Sequence, residues 1–194
     1  MERFSRFRAE KSIGEADVVV MLTDACSDPT AMDKRIAAAV LNAGKGCVVV
    51  VNKWDLATVT QRQYAPEVKR IMPFMDYCPL VFASAKTGYN IRRTVEAIDH
   101  VAAQVSSTLP TGVLNRVLEA ASAKVSPPAV KGKRLKLYYA TQVSSAPLII
   151  RIFCNDPKRI VPAYRSYLIH TLRAHFGLEG APLVLQFRGR DRRD

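Results

Sequence analysis

Over the first half of the chain, short unbroken apolar blocks alternate with stretches in which apolar residues recur at every third or fourth position. The blocks are residues 17–23, 46–51 and 80–83, each the length of a strand. Ile36, Ala39, Val40 and Ala43 mark a helix over 32–43, ended by the Gly44-Lys45-Gly46 cluster as a cap. Residues 61–72 read as a second helix. Ile91, Val95, Ile98, Val101, Ala102 and Val105 mark a third over 90–105. A strand that is apolar throughout is buried on both faces, and alternation with helices implies a parallel sheet. Ligands of such sheets bind beyond the carboxyl ends of the strands. This chain places Asp24, Asn52-Lys53-Trp54-Asp55 and Ser84-Ala85-Lys86 there.

The rhythm changes at 106–110, Ser-Ser-Thr-Leu-Pro. A short amphipathic helix is predicted over 112–123. A loop follows over 125–132, because two adjacent prolines suit neither a helix nor a central strand. Residues 134–143 alternate, with Leu135, Leu137, Tyr139 and Thr141 on one face and Lys136 and Tyr138 on the other, so one of the two tyrosines is expected in the core. Residues 144–147 turn the chain into a partner strand, Leu148–Cys154, as a hairpin. Asn155-Asp156-Pro157 is a helix start signal, and that helix is expected to run to Phe176 and stop at Gly177. Residues 182–187 form the last strand. The order α-β-β-α-β describes a small α+β domain. The final run, 188–194, is too charged to pack and is expected to be a disordered basic tail.

Composition and charge narrow the classes of function. No apolar run approaches the ~18 residues of a membrane span. The N-terminus is Arg-rich like a transit segment, but it carries Glu2 and Glu10 and meets the first strand without a linker. A cytoplasmic chain, or an internal stretch behind a start Met, is the expectation. Cys26, Cys47, Cys78 and Cys154 lack short pair spacing, so reduced, buried thiols with no disulfide partner are expected. His170 and His175 are five apart, off a common helix face, and suggest no metal. The net charge of +12 is uneven. Residues 1–108 hold 14 Lys/Arg against 12 Asp/Glu, and residues 109–194 hold 15 against 5. Such asymmetry points to an acidic partner for the second half, nucleic acid foremost.

Asn52-Lys53-Trp54-Asp55 carries the sharpest chemistry. Guanine offers two donors, N1–H and the 2-amino group, on one edge, and the Asp55 carboxylate can accept from both, much as a carboxylate grips an Arg fork. Asn52 can hold the loop and touch the base, the Lys53 stem can lie over the ring, and Trp54 belongs to the loop. In Ser84-Ala85-Lys86-Thr87-Gly88, the backbone N–H of Ala85 can donate to guanine O6. Either motif alone would pass as an ordinary polar strand exit. Together, at the carboxyl ends of consecutive buried strands, they read as a guanine pocket. Nothing in the chain matches a Gly-rich phosphate loop.

These motifs carry a family resemblance. Further matches are Glu15-Ala16-Asp17-Val18-Val19-Val20, Asp33-Lys34-Arg35-Ile36-Ala37, Asp76-Tyr77-Cys78-Pro79, Leu109-Pro110-Thr111, Val113-Leu114-Asn115 and the long run from Gly132 to Val143. With them, the chain resembles the C-terminal part of the Der (EngA) family, bacterial GTPases with two tandem GTPase domains and a KH-like domain. The resemblance implies an α/β fold, a partial P-loop GTPase-type parallel sheet over 1–108, followed by a small α+β KH-like domain over 109–187 and the basic tail 188–194. It implies a GTP-binding protein of ribosome biogenesis acting in large-subunit assembly, with the large ribosomal subunit and ribosomal RNA as partners and no membrane. It assigns guanine binding to Asn52, Lys53, Trp54, Asp55, Ser84, Ala85 and Lys86.

Family members carry a phosphate loop, a switch threonine and an Asp-x-x-Gly that this sequence lacks. No catalytic residue and no metal ligand is therefore assigned. GTP or GDP is expected to bind weakly or not at all, Mg²⁺ is expected only in the intact protein, and no hydrolysis is expected of the chain alone. Asp24 does not substitute. It lies 28 residues before Asn52, one strand-helix unit, where the family's magnesium-side Asp lies two units away. A true KH domain grips RNA with a Gly-x-x-Gly loop between helices. Here Gly177-Leu178-Glu179-Gly180 falls between the last helix and the last strand, and reads as a helix cap and turn. That departure speaks against an Era-type GTPase. RNA contact is expected instead from a charged face, with Lys131, Lys133, Arg134, Lys136, Lys158, Arg159, Arg165, Arg173 and then the arginines of the tail from Arg188 on as candidates. The alternative is a stand-alone ribosome- or RNA-binding module with a vestigial, nucleotide-free α/β half. A sheet without the family's upstream strands has an open edge and is expected to self-associate.

Overall fold

Strand β2 (Gly46–Asn52) is buried along nearly its whole length because it is central to a three-stranded parallel sheet, flanked by β1 (Val18–Asp24) and β3 (Leu80–Phe82). This computed structural model describes residues 2–127, 129–130 and 132–189. Cys47, Val49 and Val51 face a core shared with α2 (Ala31–Asn42) and α3 (Gln61–Ile71), while Val48 and Val50 face α4 (Ile91–Val105) through Val101 and Val105. Alternate residues of one strand thus fill two cores, which is why β2 reads as an unbroken apolar run. The α/β architecture expected from the sequence is what the chain forms.

The chain divides into two compact units, Met1–Val105 with Glu179–Pro182, and Ser106–Leu178 with Leu183–Asp194. In the first, helix α1 (Glu2–Glu15), which the hydrophobic pattern does not single out, puts Ile13 into the core beside α2. Thr30 caps α2, its hydroxyl accepting from the Asp33 N–H while the Asp33 carboxylate accepts from the Thr30 N–H. The segment Glu179–Pro182 lies against β2. The Cys47 N–H donates to the Gly180 carbonyl at 2.9 Å, and the Gly180 N–H donates to the Tyr77 carbonyl at 2.8 Å.

In the second unit, α5 (Thr111–Lys124) and α6 (Pro162–Phe176) cover one face of a sheet ordered β6 (Leu137–Ser144), β7 (Leu148–Cys154), β8 (Leu183–Gly189). β6 and β7 are antiparallel, β7 and β8 parallel. Leu114, Leu118, Ile150, Ile152, Leu168, Leu172 and Leu185 fill the core between helices and sheet.

Several sequence expectations change here. The stretch over 125–132 is not wholly a loop, since β4 (Ala129–Val130) and β5 (Lys133–Arg134) pair as a minimal antiparallel ladder. The alternation over 134–143 breaks at a register shift between Leu137 and Tyr139. Such a shift turns every later side chain over. Leu135 is buried and Leu137 packs on the core, but after the shift Ala140 turns inward and Tyr139 outward, and neither tyrosine is buried. The helix expected from Asp156 begins later. Asp156 caps only a 3-10 turn, Pro157–Arg159, and α6 starts at Pro162. A residue before proline is pushed out of the helical region, and Val161 is extended at φ −86, ψ 148. Gly177 is the left-handed C-cap of α6, as expected, its N–H donating to the Arg173 carbonyl. Arg188 and Gly189, placed in the tail from sequence, extend β8, while 190–194 lie outside the described residues. Cys26 is exposed, and the other three thiols are buried as expected.

Candidate guanine-recognition site

Parallel pairing in register puts the carboxyl ends of the three strands side by side, with Asp24 opposite Asn52 and Val51 opposite Phe82. The two motifs therefore leave the sheet next to each other. Asn52 joins them, its Oδ1 accepting the backbone N–H of Ala85 at 3.0 Å. The Trp54 N–H donates to the Ala83 carbonyl at 3.0 Å, a second tie between the loops. Lys53 holds a left-handed conformation at φ 60, ψ 33, which folds Trp54–Leu56 into a 3-10 turn and leaves Asp55 exposed. Among the described residues, no hydrogen bond or ion pair engages the Asp55 carboxylate.

The second loop is built as tightly. Ser84 is buried, and its hydroxyl accepts from the Thr87 N–H at 3.2 Å. Its carbonyl accepts from the Gly88 N–H, and its own N–H donates to the Tyr89 carbonyl. Gly88 at φ 80 and Asn90 at φ 55 close the turn, with the Asn90 amide donating to the Phe82 carbonyl at 2.8 Å. Ala85 and Lys86 are exposed at its tip.

The seven sequence candidates thus divide by what they touch. Asn52 and Ala85 are joined by a side-chain-to-backbone hydrogen bond, and Ser84, next to Ala85, holds the second loop through its hydroxyl and backbone. Asp55 and Lys86 are presented to solvent. Trp54 packs inward, 4.4 Å from the Phe82 ring and edge-on to Tyr64 at 5.6 Å. The Ala85 N–H, proposed from sequence as the O6 donor, is here donated to Asn52. Lys53 extends to Asp24, Nζ to Oδ2 at 2.5 Å. The Lys53 ammonium, with a second bond from the Cys26 N–H, holds the Asp24 carboxyl below its ordinary range, and Asp24 in turn raises the lysine. Asp24 is the residue that sequence reasoning set aside. Its role as partner of Lys53 becomes legible only once β1 and β2 are paired in register. The Tyr64 hydroxyl completes this corner by donating to the Asp24 carbonyl.

In the second unit, the basic candidates divide likewise. Lys133, Arg134, Lys136 and Lys158 are exposed without an ion pair among the described residues. Arg159 pairs with Asp156 at 3.1 Å. Arg165 donates to the Leu185 carbonyl at 2.6 Å and lies over the Phe187 ring, and Arg173 donates to the Leu178 carbonyl, so both guanidinium groups are engaged within their own unit. Lys131 lies outside the described residues. An open cavity of about 820 Å³ between α5 and α6, lined by Val117, Ala121, Tyr167 and Thr171, is remote in sequence from both guanine motifs.

Residues 4–104 match the model of the elongation factor Tu GTP binding domain, and residues 108–188 match that of the KH-domain-like C-terminal region of EngA bacterial GTPase enzymes. Curated relatives include GTPase Der of Caldanaerobacter subterraneus subsp. tengcongensis, 37% identical over 193 residues (98% of this chain, 44% of that protein). Others are GTPase Der of Moorella thermoacetica, 40% identical over 195 residues (98% and 44%), and of Gloeobacter violaceus, 39% identical over 197 residues (100% and 43%). The chain spans less than half the length of these relatives. Among solved structures, Aquifex aeolicus Era bound to GDP·AlF4⁻ is similar at a TM-score of 0.42 and 17% identity, covering 93% of this chain and 67% of that one, too loose a likeness to carry an argument. Two paired loops with the guanine motifs, followed by a KH-like unit and matches to GTPase Der over nearly the whole of this chain, place the chain in the Der (EngA) family of GTPases, as the counterpart of its C-terminal part.

Proposed function

We propose that this chain supplies the guanine-recognition half and the KH-like domain of a Der-type GTPase acting in large-ribosomal-subunit assembly in the cytoplasm. The observation that carries the reading is the Asn52–Ala85 hydrogen bond, which draws both base-recognition loops together while Asp55 stays unengaged and exposed. Domain roles follow the sequence boundaries, with base recognition in 1–108 and RNA contact in 109–187.

Much nucleotide affinity comes from a phosphate loop's backbone donors and from Mg²⁺. A site made of base contacts alone binds GTP or GDP at best weakly, and we expect no hydrolysis from this chain by itself. The test is equilibrium binding of fluorescent GDP and ADP to the purified chain, with Asp55→Asn as the variant. Weak binding that prefers GDP and is lost in the variant supports the reading. Equal affinity for both nucleotides, or indifference to the variant, sinks it. Asparagine replaces a two-acceptor edge with one acceptor and one donor, so Asp55→Asn should favour a base bearing a C2 carbonyl beside N1–H.

The ribosomal part rests on the uneven charge, and the helices and sheet of the second unit supply its scaffold. Sedimentation with large ribosomal subunits across a salt series, with and without GTP, tests it. Salt-sensitive binding independent of GTP would favour the alternative, a stand-alone RNA-binding module whose α/β half is vestigial. Failure to bind at any salt would refute an RNA-binding role for the second unit alone.

A further inference from the structure

On the face of the β6–β7–β8 sheet opposite α5 and α6, Tyr139 and Arg188 are exposed and Thr141, Arg151, Phe153 and Gln186 are half-buried. Across it, strand register aligns Tyr139, Phe153 and Arg188 in one row, and Thr141, Arg151 and Gln186 in the next. Tyr139 and Phe153 are stacked, with ring centroids 4.3 Å apart and planes at 13°. Phe153 covers one face of the Tyr139 ring, yet Tyr139 remains 49% exposed, an accessibility that leaves room for a second ring. Arg188, next in the row, is exposed. Arg151 reaches Gln186 at 3.4 Å. None of the three strands carries a carboxylate. Neighbouring strands lie ~4.8 Å apart, so the row Tyr139–Phe153–Arg188 spans ~10 Å, room for two adjacent bases or a base and its phosphate.

We propose that this sheet face is a base-stacking platform for single-stranded RNA, with Tyr139 as the stacking ring, Phe153 as its support and Arg188 as the phosphate contact. The inference deepens the RNA-binding reading of the second unit and rests on it. Charge complementarity selects the occupant, because the face is basic, free of acids and part of the half holding 15 Lys/Arg against 5 Asp/Glu. A rigid exposed aromatic offers a π-face to any base, which is how sequence-tolerant single-strand sites work. A duplex keeps its bases stacked on one another and has nothing to lay on Tyr139. Of the basic residues singled out from sequence, Arg188 of the tail stands in these rows, whereas Arg165 and Arg173 belong to α6, on the covered side of the sheet. The register shift at Tyr138 is what delivers Tyr139 to it.

The test uses the whole chain with a fluorescent single-stranded oligouridylate of roughly 12 nucleotides, within the usual site size, and a duplex RNA of about 16 bp. Anisotropy is read from about 50 to 200 mM salt. Tighter binding of the single strand is expected. Tyr139→Ala should weaken it about 5- to 150-fold, the loss of one base stack, while Tyr139→Phe should leave it unchanged. Arg188→Ala should reduce the slope of log affinity against log salt by about 0.7. A structural role for the aromatic pair would lower the melting temperature of Tyr139→Ala without this pattern in binding. Single-strand binding that ignores Tyr139→Ala, or a preference for the duplex, overturns the platform while leaving RNA binding intact. Absence of any RNA binding at low salt overturns the platform and the RNA reading together.

Discussion

Gly180→Ala should cost the first unit about 2–5 kcal/mol, far more than its small size suggests. Two causes add. Gly180 sits at φ +72, and an L-residue there costs roughly 1–2 kcal/mol. A β-carbon at Gly180 would also lie 2.3 Å from one methyl of Val101, 3.0 Å from the other and 2.9 Å from the Cys47 carbonyl oxygen. Val101 is fully buried and β-branched, so its methyls have no free rotamer to move into, and the carbonyl belongs to the central strand. Overpacking of this kind costs about 1–3 kcal/mol. Gly177 is the internal control. Its φ is +64, but a β-carbon there meets nothing within 4 Å, so Gly177→Ala should cost only the ~1–2 kcal/mol of backbone strain. Trp54, the single tryptophan, packs on Tyr64 and Phe82 and reports the first unit directly. Urea unfolding followed by Trp54 fluorescence should shift to lower midpoint by about 1–2.5 M in Gly180→Ala, taking a slope of ~2 kcal/mol per M. Exchange of the Cys47 amide, donated to the Gly180 carbonyl, should accelerate in step. A loss of no more than ~1 kcal/mol with Cys47 still protected would refute the close-packing argument, because backbone strain would then explain everything.

Three further outcomes are expected. The Asp24–Lys53 contact should hold across neutral pH: the carboxyl lies below its ordinary 3.8, so its contribution is present above that value and lost as pH falls through the lowered one, while the lysine lies above 10.5 and its contribution is lost only as pH rises through the raised value. An NMR titration placing Asp24 at or above its ordinary value would contradict this, and Asp24→Asn should return Lys53 toward normal. Asn115→Ala should destabilise the second unit by about 1–3 kcal/mol in thermal unfolding, because Asn115 accepts from the Ala140 N–H at 2.7 Å and donates to the Ala140 carbonyl at 2.9 Å; Asn115→Asp, which keeps only the acceptor, should fall between, and equal stability of all three would disprove the role. Among the described residues β1 pairs on one side only and leaves Leu22 62% exposed, so the chain is expected to self-associate in sedimentation velocity and Leu22→Lys to reduce this without moving the Trp54 emission; a monomeric wild-type chain, or association unchanged in the variant, would refute it.

Local signals were strong enough to make much of this protein readable from its residues. Continuous apolar runs announced the buried parallel strands, periodic ones announced α2 to α5, and the guanine motifs were recognisable because their chemistry sits in consecutive residues at strand ends. The hairpin and the Gly177 cap followed from turn chemistry for the same reason. What only tertiary structure decided depends on residues far apart in sequence. Asp24 meets Lys53, and Asn52 takes the Ala85 N–H, because parallel pairing aligns strand ends that are some 30 residues apart. The outward turn of Tyr139 depends on one residue of slippage against β7, which leaves no mark in the pattern of β6 itself. The packing of Gly180 on Cys47 and Val101 is invisible until the chain has folded back over more than 75 residues. Periodicity encodes which side of an element is apolar; pairing register and close approach are set by the whole fold, because they are properties of two segments at once.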